Sequence, residues 1–227
     1  MQPLSLADLA GKIEHTLLKP EASGEAIDRL CAEAMQHRFV GVCVQGCRVA
    51  RAFTRLEGSD VKVVAVVGFP SGAMEGDVKR YETEVAVDSG AAEIDMVLNV
   101  GRFKDGEHQV IFRELRDVVE AADERPVKLI LETCLLNDSE IVQACALAEE
   151  AGVKYVKTST GFGTFGATLE HVQLLRKSVG PKVGVKASGG IRDLKMALAM
   201  IVAGASRLGT SSGVAILEEL ESHLKEG

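Results

Sequence analysis

The sequence lacks tryptophan and is poor in aromatic residues and in positive charge. Its 227 residues contain no Trp and only 4% aromatic side chains, which argues against a protein that stacks single-stranded nucleic acid on aromatic rings. Lys and Arg number 26 against 33 Asp and Glu, a formal net charge of -7. General nucleic-acid binding and binding to an anionic membrane both require a basic face, so neither is expected here. A single small phosphate-binding pocket remains compatible with this charge.

Long hydrophobic runs and metal-binding patterns are also missing. The longest apolar segment, Met196–Ala205, has about half the length that crosses a bilayer, and Asp8 and Lys12 interrupt the N-terminal apolar positions, so we expect no membrane span and no signal peptide. The 5 cysteines form no CxxC pair, which is typical of reduced thiols in a cytoplasmic protein. The 5 histidines are scattered, and we predict no metal site.

A recurring unit fills the chain: a short β-branched run, a glycine-rich or polar turn and a longer amphipathic stretch. The predicted strands are Lys12–Leu18, Gly41–Val44, Val61–Phe69, Glu93–Val100, Val127–Thr133, Tyr155–Thr160, Lys182–Ser188 and Ser206–Thr210. The predicted helices are Ser23–Arg38, Arg48–Leu56, Glu75–Ser89, Glu107–Ala122, Asp138–Ala151, Leu169–Val179, Asp193–Ala203 and Val214–Leu224. Eight such units predict an α/β protein that closes into a (β/α)8 TIM barrel, a single domain over residues 1–227 with barrel units at about 12–224. A doubly wound open sheet is the alternative, and it normally has fewer strands in this length.

Alternate residues of a barrel strand face the interior, and this alternation places unexpected polar side chains there. Asp95 and Asn99 share the inner face of the fourth run, Lys157 lies on that of the sixth, and Lys186 and Ser188 lie on that of the seventh. The equivalent position near the end of the first, second and fifth runs is held by Glu14, Cys43 and Glu132. Barrel interiors are normally apolar, so these side chains form either a structural ion-pair network or a catalytic site; their place at the C-terminal strand ends favours a site.

Two inward lysines indicate a particular chemistry. An ordinary lysine is almost entirely ammonium at neutral pH and is a poor nucleophile. Burial and a second nearby cation favour the neutral amine, which attacks a carbonyl to form a Schiff base, and an adjacent carboxylate can move protons during that reaction. The periodicity does not choose between Lys157 and Lys186 as the nucleophile.

Glycine-rich turns follow three late strands. They are Thr158–Gly163 (TSTGFG), Ala187–Arg192 (ASGGIR) and Gly209–Gly213 (GTSSG). Backbone N–H groups at such turns and at the following helix starts can hold an anion, and phosphate sites of barrels are often built there. The simpler interpretation is that the glycines serve tight turns and the serines cap helices. Three such turns at neighbouring strand ends favour phosphate.

These features leave three functions open. A lysine-dependent aldolase uses all of them. A phosphosugar isomerase or epimerase would use Glu132 or Asp95 as its base and would leave two lysines without a role. A non-catalytic sugar-phosphate binding barrel would need only the phosphate loops.

Seven motifs closely resemble the deoxyribose-phosphate aldolase family over about residues 12–213. They are IEHTLLKP (Ile13–Pro20), VVGFPSG (Val66–Gly72), AEIDMVLNVG (Ala92–Gly101), LILET (Leu129–Thr133), YVKTSTGF (Tyr155–Phe162), VKASGGIR (Val185–Arg192) and RLGTSSG (Arg207–Gly213). The resemblance implies a class I aldolase without a cofactor that acts on phosphosugar and aldehyde substrates. It implies cleavage of 2-deoxy-D-ribose 5-phosphate to acetaldehyde and D-glyceraldehyde 3-phosphate. A homodimer is compatible with such a fold.

The resemblance also assigns roles to individual residues. It implies that Lys157 is the Schiff-base lysine, Lys186 the second lysine and Asp95 the proton-relaying carboxylate. The implied substrate-binding positions are Cys43, Thr158, Gly161, Gly189, Gly190, Arg192, Gly209, Ser211 and Ser212. Two departures stand out: Glu14 occupies a position that is usually Asp in the family, and the C-terminus lacks the tyrosine that some relatives carry.

Overall fold

The computed structural model describes residues 5–226 as a closed barrel of eight parallel strands in sequential order, β1 to β8. The strands are β1 Ile13–Leu17, β2 Gly41–Val44, β3 Lys62–Val67, β4 Glu93–Val97, β5 Val127–Ile130, β6 Tyr155–Lys157, β7 Gly184–Ser188 and β8 Arg207–Thr210. β8 pairs with β1, with Glu14 opposite Gly209, and this pairing closes the barrel. The predicted (β/α)8 architecture is therefore confirmed.

Helices surround the barrel, and most of them follow the predicted periodicity. They are α1 Leu6–Ala10, α2 Gly24–His37, α3 Val49–Arg55, α4 Gly76–Asp88, α5 Val100–Lys104, α6 His108–Ala121, α7 Asp138–Glu150, α8 Leu169–Ser178, α9 Leu194–Val202 and α10 Gly213–Glu226. The two short helices α1 and α5 were not predicted, and two 3₁₀ turns follow β2 and β5 at Gly46–Arg48 and Thr133–Leu135. Within residues 5–226, no helix combines the length and apolarity needed to cross a membrane.

The predicted alternation along the strands explains where the core lies. On β4 and just beyond it, Ile94, Met96 and Leu98 belong to the hydrophobic layer between strands and helices, as do Val185 and Ala187 of β7. The residues between them therefore face the barrel interior. Because the apolar faces pack outward on the helices, the polar side chains of the same strands are brought together at the barrel axis.

Five predicted strands (β1, β3, β4, β5 and β6) end earlier than the sequence suggested, and the ends of β5 and β6 matter for the site. β5 stops at Ile130, so Glu132 does not close this strand as predicted but lies in the turn after it, with a left-handed backbone (φ 55°, ψ 63°). β6 stops at Lys157, so Thr158–Thr160 begin the following loop. The later helices start at defined caps: Thr168 and Asp193 accept the backbone N–H of His171 and Met196 at 3.1 and 2.7 Å.

Candidate active site

Seven charged side chains meet inside the barrel and are joined by nitrogen-to-oxygen contacts of 4.0 Å or less. This interior charge cluster consists of Glu14 of β1, Glu93 and Asp95 of β4, Lys128 of β5, Lys157 of β6, Lys186 of β7 and Arg207 of β8. All seven are buried. An unpaired buried charge is costly, so the mutual pairing accounts for their presence in a barrel interior.

Asp95 is the centre of the cluster. Its Oδ2 atom accepts hydrogen bonds from Nζ of Lys157 at 2.8 Å and from Nζ of Lys186 at 2.6 Å, while its Oδ1 atom accepts one from Nζ of Lys128 at 2.8 Å. The strand register explains this arrangement, since Lys157 and Lys186 are directly paired on β6 and β7 and Asp95 is paired with Lys128 on β4 and β5. The two lysines singled out in the sequence thus donate to one oxygen atom of the carboxylate singled out with them, Oδ2 of Asp95.

The surrounding lysines keep Asp95 ionised. Burial by itself raises the pKa of this carboxyl group, but the charges of Lys128, Lys157 and Lys186 outweigh it and hold the pKa well below its usual range. Asp95 is therefore a carboxylate at neutral pH, able to accept a proton from a group placed beside Lys157.

Lys186 is held as an ammonium. Burial lowers its pKa, but the carboxylates of Asp95 and Glu14 outweigh burial, and the net shift is upward. Its Nζ contacts both carboxylates, so the longer Glu14 side chain reaches Lys186 in place of the usual Asp. Lys186 is completely buried and therefore acts as a fixed positive charge beneath the cavity.

Lys157 differs from the other cations in its surroundings. With all members ionised, the three carboxylates and four cations of the interior charge cluster leave one positive charge in excess. Lys157 lines the cavity described below, whereas Lys128, Lys186 and Arg207 do not. The structure thereby distinguishes the two lysines that periodicity left equivalent.

Three members of the cluster were not selected from the sequence. Lys128 contacts Asp95 and also lies 2.7 Å from Glu93, and Arg207 lies 3.7 Å from Glu93 and 3.2 Å from Glu14. Lys62, with its side chain 46% exposed, reaches Glu93 from the solvent side at 3.0 Å. The strand alternation places Lys128 on the same face as Glu132, Glu93 on the same face as Asp95, and Arg207 opposite the outward Leu208, so this signal was present for all three.

A cavity of about 390 Å³ opens above the cluster. Its lining combines Lys157 with the end of β1 and the segment after it, Thr16–Lys19, and with three glycine-rich segments: Thr160–Phe162, Ser188–Arg192 and Gly209–Ser211. The structure therefore brings Gly161, Gly189, Gly190, Arg192, Gly209 and Ser211 to the same cavity as Lys157. Gly189 and Gly190 have φ of 86° and 82°, a conformation that glycine adopts without strain, so this turn can expose its backbone to a ligand.

Three predicted substrate-binding residues do not line this cavity. Thr158 is buried, and its hydroxyl donates to Ser188 O and accepts from Ser188 N–H at 3.1 Å, so it joins the ends of β6 and β7. Ser212 N–H donates to Thr210 Oγ1 at 2.9 Å at the start of α10. Cys43 lies beneath the cavity, with its Sγ 4.0 Å from Asp95 Oδ2.

Cys43 has the properties of an inert thiol. Burial is the largest influence and raises the pKa of the Cys43 thiol to about 11. Glu14, Cys43 and Asp95 could each offer a metal-ligand atom within 4.8 Å of one another. However, both carboxylates are already bonded to the Lys186 ammonium, which a cation would have to displace.

The fold and site define a class of protein: a (β/α)8-barrel enzyme with a buried lysine–carboxylate centre below a glycine-lined cavity. The chain belongs to the DeoC/LacD family of aldolases, whose model matches residues 12–219. A deoxyribose-phosphate aldolase of Brevibacillus brevis is 56% identical over 205 residues, which is 90% of this chain and 93% of the relative. One from a Geobacillus species is 54% identical over 212 residues, covering 93% of this chain and 95% of the relative.

Solved structures give the same result. A putative deoxyribose-phosphate aldolase from Coccidioides immitis superposes with a TM-score of 0.93 at 41% identity, covering 96% of this chain and 87% of that one. A deoxyribose phosphate aldolase from Aeropyrum pernix, described as a tetramer, gives a TM-score of 0.90 at 34% identity, covering 96% and 93%. The barrel and the resemblance in sequence are thus both confirmed.

Proposed function

We propose that the protein cleaves 2-deoxy-D-ribose 5-phosphate reversibly to acetaldehyde and D-glyceraldehyde 3-phosphate through a Schiff base on Lys157. The observation that carries this proposal is the position of Lys157, which lines the cavity while its Nζ lies 2.8 Å from Asp95 Oδ2. Membership of the DeoC/LacD aldolases and the names of the curated relatives support the same reaction.

The reaction begins at the aldehyde carbon of the open-chain sugar. The neutral amine of Lys157 attacks this carbon, and the resulting carbinolamine loses water to give a protonated imine. The bond between the second and third carbons then breaks: the third-carbon hydroxyl loses its proton and becomes an aldehyde, and the electron pair moves into the imine to give an enamine. Protonation of the enamine and hydrolysis release acetaldehyde and restore the amine.

Asp95 and Lys186 supply the proton transfers in this proposal. The Asp95 carboxylate adjoins both amines and can take a proton as the carbinolamine forms and return it as water leaves. The buried Lys186 ammonium disfavours a second positive charge on Lys157, which maintains the nucleophilic amine. Glu14 contacts Lys186 from below and holds this ammonium in place.

In this proposal, the phosphate end of the sugar binds to the loops after β7 and β8. Arg192 adds a positive charge, Ser211 a hydroxyl group, and Gly189 and Gly190 an exposed backbone turn on the cavity wall. A charge-assisted hydrogen bond is stronger than a neutral one, so a dianion gains more from this wall than an uncharged hydroxyl group does. We therefore propose the phosphorylated sugar as the substrate.

An assay of product release tests the function. Purified protein with 2-deoxy-D-ribose 5-phosphate is expected to release equal amounts of acetaldehyde and D-glyceraldehyde 3-phosphate. Lys157→Met is expected to remove the activity, whereas Lys154→Met, a matched change at an exposed lysine on the same segment, is expected to retain it. Isomerised pentose phosphate without cleavage, or bound but unchanged sugar, contradicts the proposal.

We also propose that the protein is a homodimer of the cytoplasm. Exposed apolar side chains of α3 and α4 support the dimer: Phe53, Val78, Tyr81 and Val85 are each at least 46% exposed. The five free cysteines support a reducing compartment. Light scattering is expected to give a dimer mass that Tyr81→Glu converts to a monomer mass, and cell fractionation is expected to recover the protein with cytoplasmic markers. A monomer before substitution contradicts the dimer, and recovery elsewhere contradicts the compartment.

A further inference from the structure

One wall of the catalytic cavity is a loop that begins just after β6. Thr160, Gly161 and Phe162 form this wall, which we call the Thr160 wall, and Gly161 lies beside the glycine turn after β7. A second cavity of about 220 Å³ adjoins the wall and is also lined by Thr160 and Phe162, together with Pro70, Val97, Val100 and Leu135 among others. Because the wall has open space on both sides, packing alone does not fix its position.

Glu132 holds this wall by hydrogen bonds. Its Oε2 atom accepts from the hydroxyl of Thr160 and from the backbone N–H of the same residue, the latter at 3.3 Å. The Thr160 hydroxyl oxygen in turn accepts the backbone N–H of Phe162 at 3.0 Å. The rings of Phe162 and Phe69 form a T-shaped pair, with 5.3 Å between centroids and an angle of 89° between planes. The carboxylate of Glu132 thus fixes the wall from its first residue to the aromatic contact at its end.

The environment of Glu132 is costly for a purely structural residue. The side chain is only 5% exposed, and in residues 5–226 no Lys, Arg or His nitrogen lies within 4.0 Å of its carboxylate. Its backbone is left-handed, with φ of 55°, which is unfavourable for a residue with a long side chain. A buried carboxylate and a strained backbone persist only where the surrounding structure holds them in place. Such features are concentrated at functional sites.

We propose that Glu132 is a positioning residue for the phosphosugar and acts through Thr160. The inference rests on the proposed function, because it concerns how the same cavity binds its substrate. Glu132 lines the second cavity and not the catalytic one, and its oxygens accept hydrogen bonds from Thr160 and from the Cys134 thiol at 3.7 Å, so we assign it no proton transfer with the sugar. Its role is to hold the Thr160 wall in place beside the phosphate loop after β7, and so to set the shape of the cavity that binds the sugar.

The test compares Glu132→Gln, Thr160→Val and the double variant, with Glu57→Gln at an exposed site as the control. Loss of a hydrogen bond to a charged group corresponds to about a tenfold change in an equilibrium constant. Each single variant is therefore expected to raise KM for 2-deoxy-D-ribose 5-phosphate about tenfold with little change in kcat. If Glu132 acts only through Thr160, the double variant is expected to be no worse than the more affected single variant.

A second readout separates positioning from chemistry. Acetaldehyde carries no phosphate, so borohydride trapping of this aldehyde on Lys157 is expected to proceed at the original rate in all variants. Unchanged KM in either single variant, multiplied effects in the double variant, or a fall in kcat with an altered pH profile each overturns the proposal. Should Glu132→Gln fail to fold, Thr160→Val tests the same contact. An unsubstituted protein that neither cleaves the sugar nor traps acetaldehyde refutes the proposed function itself, a result distinct from those above.

Discussion

Lys157 and Lys186 bind the same oxygen atom, Oδ2 of Asp95, at 2.8 and 2.6 Å. The shared oxygen brings two amines together around one carboxylate, although only Lys157 lines the cavity. The buried Lys186 retains its proton, so its charge opposes protonation of the neighbouring amine. This relationship connects the strand register of β6 and β7 with the chemistry of the proposed Schiff base.

Removing the positive charge of Lys186 is expected to shift the pH dependence of acetaldehyde adduct formation to higher pH. A fixed charge within several ångströms in a partly desolvated site changes the pKa of a neighbouring amine by about one unit or more. In Lys186→Leu, the rising limb of acetaldehyde adduct formation is therefore expected to move about one unit or more to higher pH. Single-turnover trapping at several pH values measures this limb. An unmoved limb would show that Lys186 does not act through its charge.

Removing the Asp95 carboxylate is expected to have a different signature. Asp95→Asn retains the shape of the side chain but cannot take a proton, so turnover is expected to fall about a hundredfold or more throughout the pH range. The comparison uses turnover of 2-deoxy-D-ribose 5-phosphate measured beside Lys186→Leu. A loss confined to low pH would contradict a proton-transfer role for this carboxylate.

Lys128→Met tests the part of the cluster that lies below the site. Removing one partner of a buried ion pair typically costs about 3–5 kcal/mol of unfolding free energy, because the remaining charge is left unpaired. Lys128 is completely buried and contacts both Asp95 and Glu93, so we expect a loss of this size in urea unfolding at pH 7. Lys154→Met, at an exposed lysine, serves as the control. A change below about 1 kcal/mol would mean that Lys128 is not part of a tightly coupled network.

The same variant is expected to alter stability in acid. Burial favours protonation of Asp95 and Glu93, but nearby cations, Lys128 first among them, lower both pKa values in the folded protein. A lowered folded pKa gives stability above the unfolded pKa of about 4, and this stability is lost as the pH falls through the folded pKa. Unfolding free energy should therefore fall below about pH 4, and Lys128→Met should reduce the steepness of this fall. Equal steepness in both proteins would contradict the coupling.

The fold and four of the seven members of the interior charge cluster could be predicted from the sequence, because both depend on a period of two along the strands. That period placed Asp95, Lys157 and Lys186 inside the barrel, and the structure confirms their burial. The bend at Glu132 could not be predicted, since a left-handed glutamate has no local sequence signal. Which lysine faces the cavity depends on the loops above the strands, and strand periodicity contains no information about them.

Cys47 is expected to react with alkylating agents faster than Cys43. Burial raises the pKa of Cys43 to about 11, so almost no thiolate forms there at pH 8, and the side chain is out of contact with solvent. Cys47 is exposed. Iodoacetamide at pH 8 is therefore expected to label Cys47 at least about tenfold faster, as measured by peptide mass spectrometry. Equally rapid labelling of Cys43 would show that the cavity opens to the cluster beneath it.

Trapping of the covalent intermediate tests the central claim most directly. Incubation of the protein with acetaldehyde and borohydride reduces a Schiff base to a stable ethyl adduct, which peptide mass spectrometry locates on one lysine. We predict a single ethyl group on Lys157, with none on Lys186 or on the exposed Lys154. An adduct on Lys186 would reverse the roles of the two lysines, and the absence of any adduct would contradict the Schiff-base mechanism.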